Sequence, residues 1–322
     1  MTAAEVFPDN ETVVTALRLA CCAPSAHNTQ PWRWRVGRSS IRLHADQTRR
    51  LTAADPDGRD LVISCGAALH HLVTALAAFG WRSRVHRGPD PADPTLLAEV
   101  ELTSAPPSRA EVLAASAIIR RRSDRRGYAE WPVEDTPLRE MIRAAAELGV
   151  LVQVVTGPAR ARLAELTNLA NSLRSNASHD EMAAWSGRHS GSVDGVPSAN
   201  TPREVRYGDL VTRRFSAPGL ASPQGGAGTL LVLGTESDDR ESRLRAGEAT
   251  SAVTLAATAS RLVSCPITQS LESPSSRARV RAEVVGNTMV PQMVVRVGRP
   301  MAGAGELPRT PRRPVTDVLD FV

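Results

Sequence analysis

Residues 23–34 read APSAHNTQPWRW, and this short loop says more about the architecture than any other stretch of the chain. Hydroxyl, imidazole and amide side chains follow one another between Pro24 and Pro31, and the prolines restrict the backbone at both ends. Such a loop suits a planar, polar heteroaromatic ring that needs fixed hydrogen-bond donors. It also fits an Asx-turn that ends a helix before two core tryptophans, and the local chemistry leaves both interpretations open.

The segments around this loop predict a mixed α and β structure. Apolar residues at helical spacing predict a helix over 10–22 capped by Asn10, and WRWRVG and SIRLHA predict two strands joined by a turn. Residues 60–79 predict a long buried helix rich in alanine and leucine. The prolines of APPSRAE, residues 105–111, then indicate a domain boundary.

Two arginine-rich motifs lie far away in the sequence. RRRSDRRGY, residues 120–128, places arginines on both sides of a hydroxyl, which suits bidentate capture of a phosphate. In TPRRPV, residues 310–315, two arginines stand between prolines, and a restrained pair loses less entropy when it binds an anion. The alternatives are a solvated charge run for the first motif and a tail linker for the second.

A weak internal repeat suggests two related α+β halves. Gly66 and Gly247 each stand near the start of an alanine-rich helix, and they are 181 residues apart in the chain. Few positions match identically, so a coincidence between two alanine-rich helices explains the pattern equally well. Between about 177 and 228 the periodicity fails and Gly, Ser and Pro accumulate, which is typical of a functional cover or a disordered insertion.

Composition excludes several classes of protein. All 39 basic residues are arginine, so Walker A loops, Schiff-base lysines and Ser-Lys dyads are ruled out. A net charge of +5 over 322 residues does not favour a nucleic-acid partner, and no apolar run has the length of a membrane span. The four cysteines form no C-x-x-C pair and the start of the chain has no signal-peptide pattern, which favours a cytoplasmic protein.

Taken together, APSAHNTQPWRW, RRRSDRRGY, PRRPV and PQMVVRVG resemble the nitroreductase-fold flavoproteins, and most closely the Acg-type subfamily of FMN-binding oxidoreductases. The resemblance covers nearly the whole chain. It implies an α+β nitroreductase-like fold of two fused halves, each a mixed or antiparallel sheet with packed helices. The halves would span 1–108 and 109–322, and a lid-like insertion at about 177–228 would carry Met182, Trp185 and Phe215 over the flavin.

The resemblance also implies a set of cofactor-binding residues. From the first half these are Pro24, Ser25, His27, Asn28, Gln30, Trp32 and Arg33. From the second half they are Arg121, Arg122, Ser123, Arg125, Pro266, Ile267, Thr268, Gln269, Arg312 and Arg313. The arginines would hold the ribityl phosphate and the pyrimidine edge, and 266–269 would offer backbone N–H groups to the ring. Thr268 and Gln269 stand where many relatives have Glu-Gly, which weakens that last assignment.

The implied function is an FMN-dependent NAD(P)H oxidoreductase of nitroreductase type, acting on a small aromatic or quinone-like acceptor as a monomer or homodimer. The first half lacks both arginine motifs, so we expect one FMN per chain. The alternative function is an FMN-sequestering protein whose site is closed by the lid. Hydride transfer at a flavin requires no protein nucleophile, so we expect no catalytic side chain and no metal. The adjacent pairs His70-His71 and Cys21-Cys22 are predicted to pack in the core.

Overall fold

The computed structural model describes residues 7–188, 191–202, 206–207, 210–211, 219, 226 and 228–322. The helices are α1 (Asn10–Ala20), α2 (Arg59–Ala78), α3 (Arg109–Arg120), α4 (Asp135–Ala146), α5 (Gly157–Ser172), α6 (Asn176–Ala184), α7 (Arg240–Ala259) and α8 (Pro274–Glu283). The strands are β1 (Trp32–Val36), β2 (Ser40–Ala45), β3 (Trp81–Arg87), β4 (Leu96–Ser104), β5 (Leu151–Val155), β6 (Ser186–Arg188), β7 (Val196–Pro197), β8 (Arg206–Tyr207), β9 (Leu210–Val211), β10 (Thr229–Thr235), β11 (Val263–Ile267), β12 (Val290–Gly298) and β13 (Leu319–Phe321).

Two sheets organise these elements. The first has the strand order β13-β1-β2-β4-β3 and the second β11-β12-β10-β5. All neighbours in both are antiparallel except β13, which runs parallel to β1. In β1 the side chains alternate between core and solvent, so Trp32 and Trp34 are completely buried. The α+β class expected from the sequence is confirmed.

Helices α2 and α7 form the centre of the molecule and pack against each other along their length. Their backbones approach at two glycines. A Cβ atom added to Gly66 would lie 2.0 Å from the carbonyl oxygen of Leu244, and one added to Gly247 would lie 2.0 Å from that of Ile63. Only glycine allows this approach, and the two residues that mark the internal repeat therefore meet in space.

The end of the chain returns to the first sheet. After Val315 and Val318, which are buried in the first core, β13 pairs with β1 in the register Trp34 with Leu319. The division of the chain at residue 108 stays a prediction. The last strand nevertheless pairs with β1, in the sheet whose other strands lie in roughly the first hundred residues, so backbone hydrogen bonds join the two parts of the chain.

The first helix is capped by Asp9, whose carboxylate accepts from the Thr12 amide at 2.7 Å, so the prediction of Asn10 as the cap was wrong.

Among the described residues only α2 is long and apolar enough to cross a membrane, but 72% of its apolar window is buried, as in a core helix. His71 is buried and shares the Ser251 hydroxyl with His70. The described residues contain no cluster able to hold a metal ion.

Candidate functional site

Two adjoining cavities lie beside the loop 24–28, between α2 and the segment that ends β11. We call them the inner cavity and the arginine cavity. They share five lining residues, which are Pro24, Ser25, Ser123, Arg125 and Val196. The shared lining makes them two compartments of one cleft, and each compartment has its own chemistry.

The inner cavity has a mostly apolar lining and draws on both parts of the chain. From α2 it takes a single helical face, whose members are Asp60, Ile63, Ser64 and Ala67. From the second sheet it takes Met293 and the segment from Cys265 to Gln269 that ends β11. A slot with apolar walls and a few polar groups is suited to a ring that carries hydrogen-bonding atoms at its edge.

The loop that separates the compartments has an unusual backbone. His27, Asn28 and Gln30 have φ angles of 49°, 57° and 52°, in the left-handed region that non-glycine residues rarely adopt. The Ser25 hydroxyl accepts from the Gln30 amide at 3.0 Å, and the Ser64 hydroxyl accepts from the Ala26 amide at 3.1 Å. Strain of this kind persists only where surrounding contacts enforce it, and it concentrates at functional sites.

The amide side chains of Asn28 and Gln30 in this loop form hydrogen bonds to other segments of the chain. Asn28 donates from Nδ2 to the carbonyl groups of Gly195 and Pro311 at 2.9 and 3.0 Å, and its Oδ1 accepts from Arg312 at 2.9 Å. Gln30 donates to the Val193 carbonyl at 2.9 Å and accepts from the Arg313 amide at 2.9 Å. The loop therefore holds the C-terminal arginine motif in place.

The arginine cavity is strongly electropositive. Its lining contains Arg121, Arg122, Arg125, Arg309 and Arg312, and no acidic residue belongs to it among the residues described. Hydroxyl and amide groups complete the lining, from Ser25, Asn28, Ser123, Asn200 and Thr310. Guanidinium groups beside hydroxyls form the donor set that binds phosphate.

Arg121 is the most buried of these cations, with 5% of its surface exposed. Its contacts are two long hydrogen bonds, to the Ser123 hydroxyl at 3.5 Å and to the Cys22 carbonyl at 3.4 Å, and its Nε has no partner within the described part of the chain. Burial lowers the pKa of Arg121 to about 9, and the neighbouring Arg312 acts in the same direction. A buried charge without a counter-charge is costly, so this site favours an anion.

The backbone around Ser123 is rigidly held. Asp124 donates its amide to the Ser264 carbonyl at 2.9 Å, and its carboxylate pairs with Arg126 at 2.7 Å. The Tyr128 hydroxyl donates to the Asp124 carbonyl at 2.9 Å, and the guanidinium carbon of Arg296 lies 3.5 Å from the centre of the Tyr128 ring. These contacts fix the first arginine motif to β11 and β12, which places Ser123 and Arg125 at both cavities.

Residues 176–188 and 191–202, which we call the cover segment, contact the rim of the inner cavity. Glu181 accepts from the amides of Ala53 and Ala54 at 3.1 and 2.8 Å. Arg49 pairs with Asp194 and lies 5.3 Å from the centre of the Trp185 ring. Val196 lines both cavities, whereas Met182 and Trp185 are not part of either described lining. The predicted role of Phe215 lies outside the described residues.

The structure brings thirteen of the seventeen predicted site residues to the cleft. The inner cavity takes Pro24, Ser25, His27, Ser123, Arg125, Pro266, Ile267, Thr268 and Gln269, and the arginine cavity adds Asn28, Arg121, Arg122 and Arg312. Of the seventeen, Gln30, Trp32, Arg33 and Arg313 line neither cavity.

Those four residues lie elsewhere, and the geometry of β1 explains the positions of two of them. Trp32 faces the first core because side chains alternate along β1, and Arg33 on the opposite face pairs with Asp46 at 3.4 Å. Arg313 turns away from Arg312 and also pairs with Asp46, at 3.5 Å. Gln30 is fully buried and bonded as described above.

Sequence reasoning missed several lining residues. Arg309 stands three residues before Arg312 in the same proline-rich run, and this proximity was a usable signal. Asp60 and Ser64 share the helical face that lines the inner cavity, and their spacing of four residues on an otherwise mostly apolar helix was a usable signal. Glu272, which pairs with Arg174 at 2.6 Å and accepts from Thr268 at 2.8 Å, had no sequence signal.

Comparison with known proteins gives close relatives. The chain is 45% identical over 320 residues to "Putative NAD(P)H nitroreductase Rv3131" of Mycobacterium tuberculosis, covering 98% of this chain and 93% of the relative. It is 36% identical over 321 residues to "Putative NAD(P)H nitroreductase acg" of the same organism, covering 96% and 95%. A solved nitroreductase with bound FMN from Bacteroides fragilis matches 61% of this chain and 93% of its own, with 18% identity and a TM-score of 0.40. The chain matches no protein-family model.

Proposed function

Since the chain belongs to the family of Rv3131 and acg, each of which carries the name "Putative NAD(P)H nitroreductase", we propose that it binds FMN and acts as an NAD(P)H-dependent oxidoreductase. Membership of this family confirms the resemblance found in the sequence motifs.

The observation that carries the proposal is the buried Arg121 beside Arg312. Both line the arginine cavity, and no carboxylate of the described residues lies within ion-pair distance of either group. A phosphate would supply the missing counter-charge at this point and would accept from Ser25 and Ser123. The adjoining inner cavity, with apolar walls and polar groups at 265–269, offers room for the ring of the same molecule.

Bound FMN would supply hydride transfer to and from its ring. The residues of the chain would bind and orient it. The loop 24–28 and the segment 265–269 would face the ring from opposite parts of the chain, and the arginines would hold the phosphate. A small aromatic or quinone-like acceptor would reach the ring through the inner cavity. The absence of lysine and of a nucleophile motif agrees with chemistry located on a cofactor.

One FMN per chain is part of this proposal, and a buried ion pair supports it. Gly66 and Gly247 are 181 residues apart, and the same interval pairs Ala67 with Glu248 and Arg87 with Thr268. Ala67 and Thr268 line the inner cavity. Glu248 and Arg87 instead form a two-pronged ion pair, with both distances at 2.8 Å. These two charged side chains stand at the positions that the 181-residue interval pairs with lining residues of the inner cavity, which supports a single FMN per chain.

We expect purified protein saturated with FMN to hold one flavin per chain, because the arginine motifs serve a single cleft and the Arg87–Glu248 pair occupies the related position. The measurement is the flavin released by denaturation divided by the protein concentration from amino-acid analysis. A ratio near two would contradict this expectation.

The enzymatic part of the proposal is tested by stopped-flow absorbance of the FMN-loaded protein. We expect NADPH or NADH to bleach the visible flavin band, with dithionite as the control that the bound flavin can be reduced. A second anaerobic mixing step with a nitroaromatic or a quinone then tests whether the band returns. Bleaching by dithionite alone, with neither nicotinamide effective over minutes, would contradict an NAD(P)H-linked activity.

The cover segment supports a second candidate function, the sequestration of FMN with little turnover. Glu181 and Asp194 of this segment, and its Gly195 carbonyl bound by Asn28, hold it on the rim of the cleft. In that place it would restrict the entry of a second substrate. The stopped-flow result above separates the two functions. In either case we propose a cytoplasmic protein that acts as a monomer or homodimer on small molecules, without nucleic-acid or membrane partners.

A further inference from the structure

The strand β5 forms one edge of the second sheet, and its sequence, LVQVV, carries no charge. In the described part of the chain, its backbone hydrogen bonds run to β10 alone. In an antiparallel pair, alternate N–H and C=O groups of an edge strand point away from the neighbouring strand and are available to a further one. The edge at β5 therefore presents backbone donors and acceptors that a partner strand can bind.

The side chains of β5 also leave apolar surface in contact with water. Leu151 is 56% exposed, and Val152, Gln153 and Val154 are half-buried. Val152 and Val154 pack with one side against the core that α4 and α7 share with this sheet. Uncharged strands rich in leucine and β-branched residues have a strong tendency to pair edge to edge. An added strand would remove the remaining apolar surface from water.

Within the described chain the two large sheets have three other edges, and each is protected in its own way. On the first sheet, β3 exposes Arg82 and Arg84, and β13 is only three residues long. On the second sheet, β11 contains Pro266, and Ser123 bridges to it at Ser264 on the side away from β12. Charged side chains, short strands, proline and a covering segment are the devices that prevent edge-to-edge association. In β5 none of these devices is present among the described residues.

This difference indicates which partner fits the edge. When a second copy of the chain approaches, its protected edges are unsuited to pairing, whereas its own β5 offers the same uncharged edge. Two β5 strands related by a two-fold axis run antiparallel, and such a contact closes after two copies because both use the same surface. An axis at Gln153 aligns all five residues, with Leu151 opposite the partner's Val155 and Val152 opposite the partner's Val154. An axis at any other residue of the strand would leave fewer pairs.

We propose that β5 is a dimer interface, at which two copies of the chain join their second sheets through antiparallel β5 strands with Gln153 on the two-fold axis. The interface is separate from the cleft. The end of β11 lines the inner cavity, and β11 is the opposite edge of the sheet, three strand spacings or about 14 Å from β5. Each copy keeps its own complete cleft, so the inference does not depend on the function proposed above.

Sedimentation equilibrium of the full-length protein, at concentrations from about 1 to about 100 μM, tests the interface. We expect the wild type to reach twice the mass of the chain within this range. Gln153→Glu places two carboxylates opposite each other at the axis and should weaken the association at least about tenfold. Gln47→Glu makes the same change at an exposed residue outside the interface and should have no effect. A wild type that stays monomeric, or a dimer that Gln153→Glu leaves intact, would overturn the proposal.

A charge exchange separates strand pairing from damage to the monomer. The Gln153 amide donates to the Val284 carbonyl at 3.3 Å, so a substitution there also removes a contact within the chain. Gln153→Arg should be as weakly associated as Gln153→Glu, and an equimolar mixture of the two should form a heterodimer, because opposite charges then meet at the axis. Circular dichroism establishes that each variant is folded. Folded variants that fail to associate when mixed would overturn the pairing at Gln153.

The flavin provides a separate readout. FMN affinity, measured by fluorescence titration, should be the same for the wild type and for Gln153→Glu, because the cleft lies at the other edge of the sheet. A lower affinity in the variant would contradict the separation of interface and cleft. A dimer that does not bind FMN would contradict the proposed function and leave this inference standing, whereas a monomeric wild type that binds FMN would do the reverse.

Discussion

Replacing Arg121 by methionine is expected to weaken FMN binding about 100-fold and at the same time to stabilise the flavin-free protein. The loss of affinity follows from removing a charged donor to the phosphate, worth about 1.5–3 kcal/mol. The gain in stability follows because the empty protein carries a buried guanidinium with two long hydrogen bonds, and replacing uncompensated buried charge by apolar atoms contributes on the order of 1–4 kcal/mol. Fluorescence titration with FMN and thermal unfolding without it measure the two effects.

The exposed Arg120 provides the matched control, since Arg120→Met removes the same charge one residue away and should change neither quantity. Riboflavin, which has no phosphate, should bind the wild type and Arg121→Met with similar affinity. A variant that loses FMN affinity and stability together would instead indicate that Arg121 is a structural residue.

The pKa of Arg121 predicts how the affinity for FMN depends on pH. The pKa of Arg121 in the folded, empty protein is lowered to about 9, so its positive charge is present below that pH and is lost as the pH rises through it. FMN affinity of the wild type should therefore be level near neutral pH and decline above pH about 9. Arg121→Met should lack this decline. A wild-type affinity that stays constant to pH 10 would contradict the lowered pKa of Arg121 and leave its assignment to the phosphate to the Arg121→Met titration.

Gly66→Ala is expected to unfold the protein or to cost about 3 kcal/mol or more. Its new Cβ would lie 2.0 Å from the Leu244 carbonyl oxygen and 3.0 Å from the Gly247 Cα, and both are backbone atoms that cannot rotate away. Relief would require α2 and α7 to separate, which would expose the apolar surface between the two cores. Urea unfolding followed by circular dichroism measures the change.

Gly305 supplies the comparison for this experiment, because an added Cβ there meets no atom within 4 Å. Gly305→Ala should change the free energy of unfolding by no more than about 0.5 kcal/mol. A Gly66→Ala variant as stable as Gly305→Ala would show that the helices do not cross closely in solution. The cleft, which α2 lines on one side, would then need a different description.

Most regular elements could be predicted from sequence because their signals are local. The strands β1 and β2 alternate polar and apolar residues, and α2 has the composition of a buried helix. The elements missed have weak local signals, as in α8, which is polar on most faces, and β13, which is three residues long. The pairing of β13 with β1 depends on contacts almost three hundred residues apart in the chain, and no short window of sequence contains that information.

Residue types and their spacing are enough to predict that this protein concentrates its binding chemistry in a proline-bounded polar loop and in two arginine motifs. Which of these groups converge can be known only from the folded chain. Arg312 lines the same cavity as Arg121, whereas its neighbour Arg313 pairs with Asp46. Asn28 binds Arg312 directly through its side-chain oxygen. The direction and burial of a side chain depend on how distant elements pack, so the burial of Arg121 without a carboxylate partner in the described part of the chain follows from the fold and not from its neighbours in sequence.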